Sequence, residues 1–140
     1  MRWLTILGML LGVTVATQAA TIKAHLIRAS NDRPPEDQRL KELDSKLRKV
    51  FGFAYYQELG YREQSFQDKP SAELNLGRGF VLYAKPRAIQ DGVQEIEVEW
   101  YSGRVAISKQ SLKLPARQFV FIKGPEIGKE WIVLALALDP

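Results

Sequence analysis

The chain contains no cysteine and a single histidine, His25. Without thiols there is no disulfide, no thiolate metal site, no cysteine nucleophile and no lipidated N-terminal cysteine. With one imidazole, a zinc site built from several protein nitrogen ligands is excluded, and any Ser-His-Asp arrangement would depend on His25 alone. A lone histidine on a strand reads as structural or solvent-facing, so no catalytic, cofactor-binding or metal-ligating residue is assigned. Strong charge of one sign is also missing: 20 basic against 16 acidic residues give +4 over 140 residues, and the signs are interspersed. Nucleic-acid binding wants Lys and Arg clustered on one face, so nucleic acid is not an expected partner. Low-complexity tracts, internal repeats and linkers are absent too.

What is present begins with a leader. Arg2 supplies a positive start, Leu4 to Ala16 is mainly apolar, and Thr17-Gln-Ala19-Ala20 offers small residues for a signal peptidase. This is the three-part secretory pattern. Residues 1–20 are therefore expected to be a signal peptide and 21–140 a single exported β-rich domain, periplasmic or extracellular, with no stable membrane span once the leader is cut.

The remaining chain is organised around Trp131-Ile-Val-Leu-Ala-Leu-Ala-Leu138. This apolar run is far short of the about 20 residues of a spanning helix and reads as a strand covered on both faces. Period two puts Trp131, Val133, Ala135 and Ala137 on one side, with Ile132, Leu134, Leu136 and Leu138 on the other. One helix is expected, Glu36 to Phe51, after Pro34-Pro35. Leu40, Leu43, Leu47, Val50 and Phe51 recur at helical steps; Glu36 and Asp37 suit its first turn, Lys46, Arg48 and Lys49 its last. Asp37 with Lys41 and Glu42 with Lys46 are acid-before-base pairs, and Gly52 suits the left-handed cap.

Elsewhere the period is two. Strands are expected over Ile22 to Ala29, Phe53 to Leu59 continuing after Gly60 to Gln67, and Ala72 to Leu76. Phe80 to Ala84, Val93 to Tyr101, Arg104 to Leu114 and Phe119 to Lys123 follow, with Gly124-Pro-Glu-Ile-Gly128 as the last connection. Gly77-Arg-Gly79, Asp91-Gly92 and Ser102-Gly103 are turns; Asp68-Lys-Pro-Ser71 is another. Short links make antiparallel neighbours. The expected class is α+β, mostly β: an antiparallel β-sandwich or half-open barrel of about eight strands, with one amphipathic helix after the first strand.

Two patterns invite chemistry and yield little. Gly124 to Lys129 fails as a phosphate loop, having three residues between the glycines, Glu130 after the lysine and a strand next. Glu95, Glu97 and Glu99 alternate with Ile96, Val98 and Trp100, so the acids share one face about 6.8 Å apart. That spacing would suit paired carboxylates of a hydrolase, yet an alternating strand gives a solvated row, facing lysines such as Lys109 and Lys113 on the next strand. Tyr55 and Tyr56 must lie on opposite faces of one strand, as must Trp100 and Tyr101. An exposed tyrosine beside Lys or Arg is the form a carbohydrate or protein contact takes.

The order of a first strand, a helix ending Leu-Arg-Lys-Val-Phe-Gly52, a Gly-Pro loop and an aliphatic last strand resembles small exported bacterial β-rich proteins of unknown function. The likeness spans nearly all of 21–140 and implies no activity, cofactor or site residue. The expected role is a non-catalytic binding or assembly module of the cell envelope, partnered by an envelope protein or glycan. A carboxylate-dependent hydrolase and a carrier of small apolar ligands are the alternatives.

Overall fold

A computed structural model describes residues 20–32, 40–67 and 69–140. Residues 1–19 of the leader, Pro34-Pro35, the first-turn acids Glu36 and Asp37, and Asp68 lie outside the described residues, as do the side chains of Lys41 and Glu42. The described elements are β1 (Thr21–Ser30), α1 (Lys41–Phe51), β2 (Tyr55–Ser65), β3 (Ala72–Gly77) and β4 (Phe80–Gln90). They continue with β5 (Val93–Ser102), β6 (Val105–Pro115), β7 (Val120–Ile127) and β8 (Glu130–Asp139). The strands form two antiparallel sheets, β2-β1-β8-β7 and β3-β4-β5-β6. Of the two expected architectures, the β-sandwich is the one observed.

β8 sits inside its sheet between β1 and β7, and both of its faces are covered. Ile132, Leu134, Leu136 and Leu138 enter the core between the sheets with Leu26, Leu82, Ile96 and Trp100. Val133 and Ala135 face the other way, under Leu40 just before the helix, Leu43 and Leu47 within it, and beside Ile27 and Tyr56. Each fully buried leucine contributes about 1.5–3 kcal/mol by leaving water, which is why an uninterrupted apolar run is stable only here.

The helix ends as its sequence indicates: Gly52 is left-handed (φ 71°) and its N–H donates to the Arg48 carbonyl at 3.2 Å. Val50, placed in the apolar stripe by spacing, is instead exposed. It lies on one margin of the stripe; in the last turn Phe51, on the other margin, reaches the sheet and meets Phe121 edge-on at 6.0 Å. Beyond the helix, Phe53 and Ala54 stay outside β2. Their N–H groups are taken by side chains, Phe53 by the Tyr56 hydroxyl at 3.1 Å and Ala54 by Asn31 Oδ1 at 3.1 Å. The Tyr56 hydroxyl in turn donates to the Leu47 carbonyl at 3.0 Å.

Two glycines set where the sheets meet. At Gly60 the β1–β2 register slips, leaving Leu59 as a bulge, and a Cβ on Gly60 would overlap the Leu76 carbonyl oxygen of β3. Gly60, whose sequence context allows a bend or bulge, sits at a bulge and also at a close approach of β2 to the second sheet. Gly124 and Pro125 were expected in a connection, but β7 runs through them to Ile127. The ladder absorbs them as a bulge between Lys123↔Val133 and Glu126↔Trp131, and only Gly128-Lys129 turns. A bulge tolerates a proline that a regular interior strand would not.

Candidate functional site

The two sheets are treated unequally on their outer faces. On the first, the helix covers Ile27, Ala29, Val133 and Ala135. The second has no covering element among the described residues, and its outer face is polar. β5 alternates as expected, burying Ile96, Val98 and Trp100 and turning Glu95, Glu97, Glu99 and Tyr101 outward. The register with β6 sets Glu99 opposite Lys109 and Glu95 opposite Lys113, as the spacing implied, with Ser111 opposite Glu97. On the other side Tyr83 lies opposite Glu99 and Lys85 opposite Glu97. An acidic column thus runs between flanking cations.

The close ion pair on this face is made from β4. Arg87 Nη2 donates to Glu97 Oε2 at 2.7 Å, and that hydrogen bond holds the Glu97 carboxyl below the usual carboxylate range. This is the opposite of what a general acid in glycoside hydrolysis requires. Lys109 instead places its ammonium 5.8 Å from the Tyr101 ring centre.

Tyr83 and Tyr101 stand beside one another, ring centres 5.7 Å apart and nearly perpendicular. Each hydroxyl is anchored to an acid, Tyr101 to Glu99 at 3.0 Å and Tyr83 to Glu73 at 3.4 Å. The negative charge of Glu73 raises the Tyr83 phenol above its ordinary range. Tyr83 remains 41% exposed although its ring edge is held. A hollow of about 520 Å³ opens beside the pair, lined by Tyr83, Lys85, Glu97, Glu99, Lys109 and Ser111. Rigid aromatic surface, hydroxyls and charges of both signs in one shallow depression suit contact with a polar chain or a protein surface.

His25 has company that sequence reasoning missed. Its Nδ1 lies 2.6 Å from Oε1 of Glu58, and the two side chains are 15% and 5% exposed. They are 33 residues apart in sequence, and the Leu59 bulge brings them together across β1 and β2. Tyr61 lies against the imidazole at 4.6 Å and Phe119 at 5.8 Å, with the Lys46 ammonium 5.5 Å from the Phe119 ring. Burial, then the hydrogen bond to Glu63, pushes the Tyr61 phenol up to about 12. A carboxylate this deep must be hydrogen-bonded, and His25 supplies one partner. The ring is thereby fixed where the helix cover ends, and the pair reads as a structural tie between two strands. Alternation over Tyr55 to Ser65 marks Glu58 as a polar residue on the face shared with Tyr56, the one signal the sequence held.

Among the described residues no group of three or more His, Asp or Glu is placed to hold a metal ion, and no helix is long and apolar enough to cross a membrane. No protein-family model, curated protein or solved structure matches the chain. What it does is therefore argued from its own surfaces.

Proposed function

We propose that the chain is an exported, non-catalytic binding or assembly module of the cell envelope, and that the outer face of β3-β4-β5-β6 is its contact surface. Export is supported by the leader pattern of residues 1–20. Binding is supported by one observation above the rest: one sheet is covered by α1, whereas no described residue covers the other, which presents the Tyr83–Tyr101 pair beside a depression that Tyr83 lines. Tyrosines held at the hydroxyl lose little side-chain entropy on contact, which makes them efficient anchors.

Site-specific photo-crosslinking in intact cells tests this reading. A benzophenone side chain at position 83 should give discrete covalent adducts, while the same group at Val50, exposed on the helix, should give none. Equal labelling at both positions, or adducts only at Val50, would reject the assignment of the surface.

A further inference from the structure

Each sheet of an open sandwich ends in two edges, and unprotected edges invite another strand. Three of the four are blunted here. β2 and β3 lie against each other where Gly60 meets Leu76. β3 is six residues long. β7 carries the Gly124-Pro125 bulge, and Pro125 has no N–H to offer.

β6 is different. After its single register shift at Trp100/Tyr101, Ser108 to Leu114 pair in unbroken register with Trp100 to Gln94. Alternate backbone N–H and C=O groups along the opposite edge therefore point away from the sheet, and no described residue pairs with them. Lys109, Gln110, Ser111 and Lys113 on this stretch are exposed. Neither lysine has a carboxylate within ion-pairing distance among the described residues. Ser108 and Gln110, on the inner side opposite Trp100 and Val98, hydrogen-bond each other at 2.8 Å.

We infer that β6 accepts an extended acidic segment of another protein as an additional antiparallel strand, with carboxylates four residues apart set against Lys109 and Lys113. The inference rests on the binding-module reading and names its partner's chemistry. Main-chain hydrogen bonds would supply the attraction and alternate side chains the selectivity. Lys109 and Lys113 lie on one side of the strand about 13 Å apart, the reach of an i,i+4 pair in an extended chain. The sheet already repeats this pattern one strand earlier, where Glu99 and Glu95 oppose the same two lysines. A second copy of the chain is disfavoured, because pairing two β6 strands about Ser111 sets Lys109 of each copy against Lys113 of the other. Like charges directly opposite destabilise a ladder. The two lysines thus disfavour self-pairing in that register and favour an acidic partner.

The probe is a capped nine-residue peptide alternating valine and threonine, with glutamate at two positions four apart; the control carries lysine there. Backbone amide exchange of the purified protein should show peptide-dependent protection within 106–114 for the acidic peptide only. Lys109→Glu with Lys113→Glu, both exposed positions, should weaken that binding at least about tenfold and transfer it to the lysine peptide. Absence of protection at about 1 mM peptide, equal binding by the charge-reversed variant, or concentration-dependent dimerisation through the same amides overturns the inference. If a soluble glycan or the peptide instead contacts Tyr83 and Tyr101 while the β6 amides stay unchanged, strand addition fails and the proposed contact surface survives. If the β6 amides are protected but position 83 gives no adducts in cells, the edge docks strands and the wider reading of the face fails.

Discussion

The ring of Trp100 fills the space where a side chain at Gly124 would stand: a Cβ there would lie 2.7 Å from Cζ3, and 2.8 Å from the Ile132 carbonyl oxygen. The largest side chain of the core is thus seated against a bulge in the opposite sheet. Gly124→Ala is expected to destabilise by about 1–3 kcal/mol through overpacking, read from the urea midpoint. Gly60→Ala should cost more, because its Cβ would overlap the Leu76 carbonyl oxygen outright, whereas the nearest obstacle at Gly124 is a ring that can tilt. Equal, negligible effects at both sites would contradict this description of where the sheets touch.

Tyr56 ties the helix to β2 by donating to the Leu47 carbonyl and accepting from the Phe53 N–H. Burial raises its phenol above the ordinary range. Tyr56→Phe keeps the ring and loses both bonds, so a loss of about 1–2 kcal/mol is expected in the same denaturation assay. An unchanged midpoint would show that the helix is held by its apolar stripe alone.

At high pH the Tyr61 phenol is the group to watch. Its folded value of about 12 lies above that of a free tyrosine, about 10, so the folded state disfavours ionisation. Its contribution is fully present below pH about 10 and is lost as pH rises through about 12. Tyr61→Phe should flatten the fall in stability across that window, measured by denaturation at fixed alkaline pH values.

The Glu97 carboxyl behaves in the reverse sense. Held low by Arg87, it contributes stability above the ordinary carboxylate range, and that contribution is lost as pH falls through the lowered value. Arg87→Gln should therefore shift the denaturation midpoint slightly at pH 7, with the difference disappearing well below pH about 4. Both groups are exposed, so a large effect would mean that the pair is less solvated than its surface position implies.

The parts of this fold that were legible in the sequence are those governed by local period. The two-sided burial of β8, the alternation of β5 and the acid-to-lysine facing of β5 and β6 follow from strand geometry and a tight turn, which falls at Gly103-Arg104, one residue later than the expected Ser102-Gly103. The helix cap at Gly52 follows from backbone preference. What stayed hidden depended on register between distant strands. His25 meets Glu58 only because Leu59 is extruded, and no one-strand pattern encodes that slip. The strand character of Gly124-Pro125 was masked because both residues signal turns, and the ring that makes a glycine necessary there is Trp100, on the facing sheet. Of the paired tyrosines only Tyr101 was legible, set opposite Trp100 by alternation; its contact with Tyr83 across β4 and β5 required the ladder.

The most direct test of the account is hydroxyl-radical footprinting of the protein in intact envelope against the purified protein. Modification of Tyr83 and Tyr101 should fall in the envelope, while exposed Val50 and Ile127 react alike in both samples. Unchanged reactivity at the two tyrosines, with protection appearing over the helix instead, would contradict it.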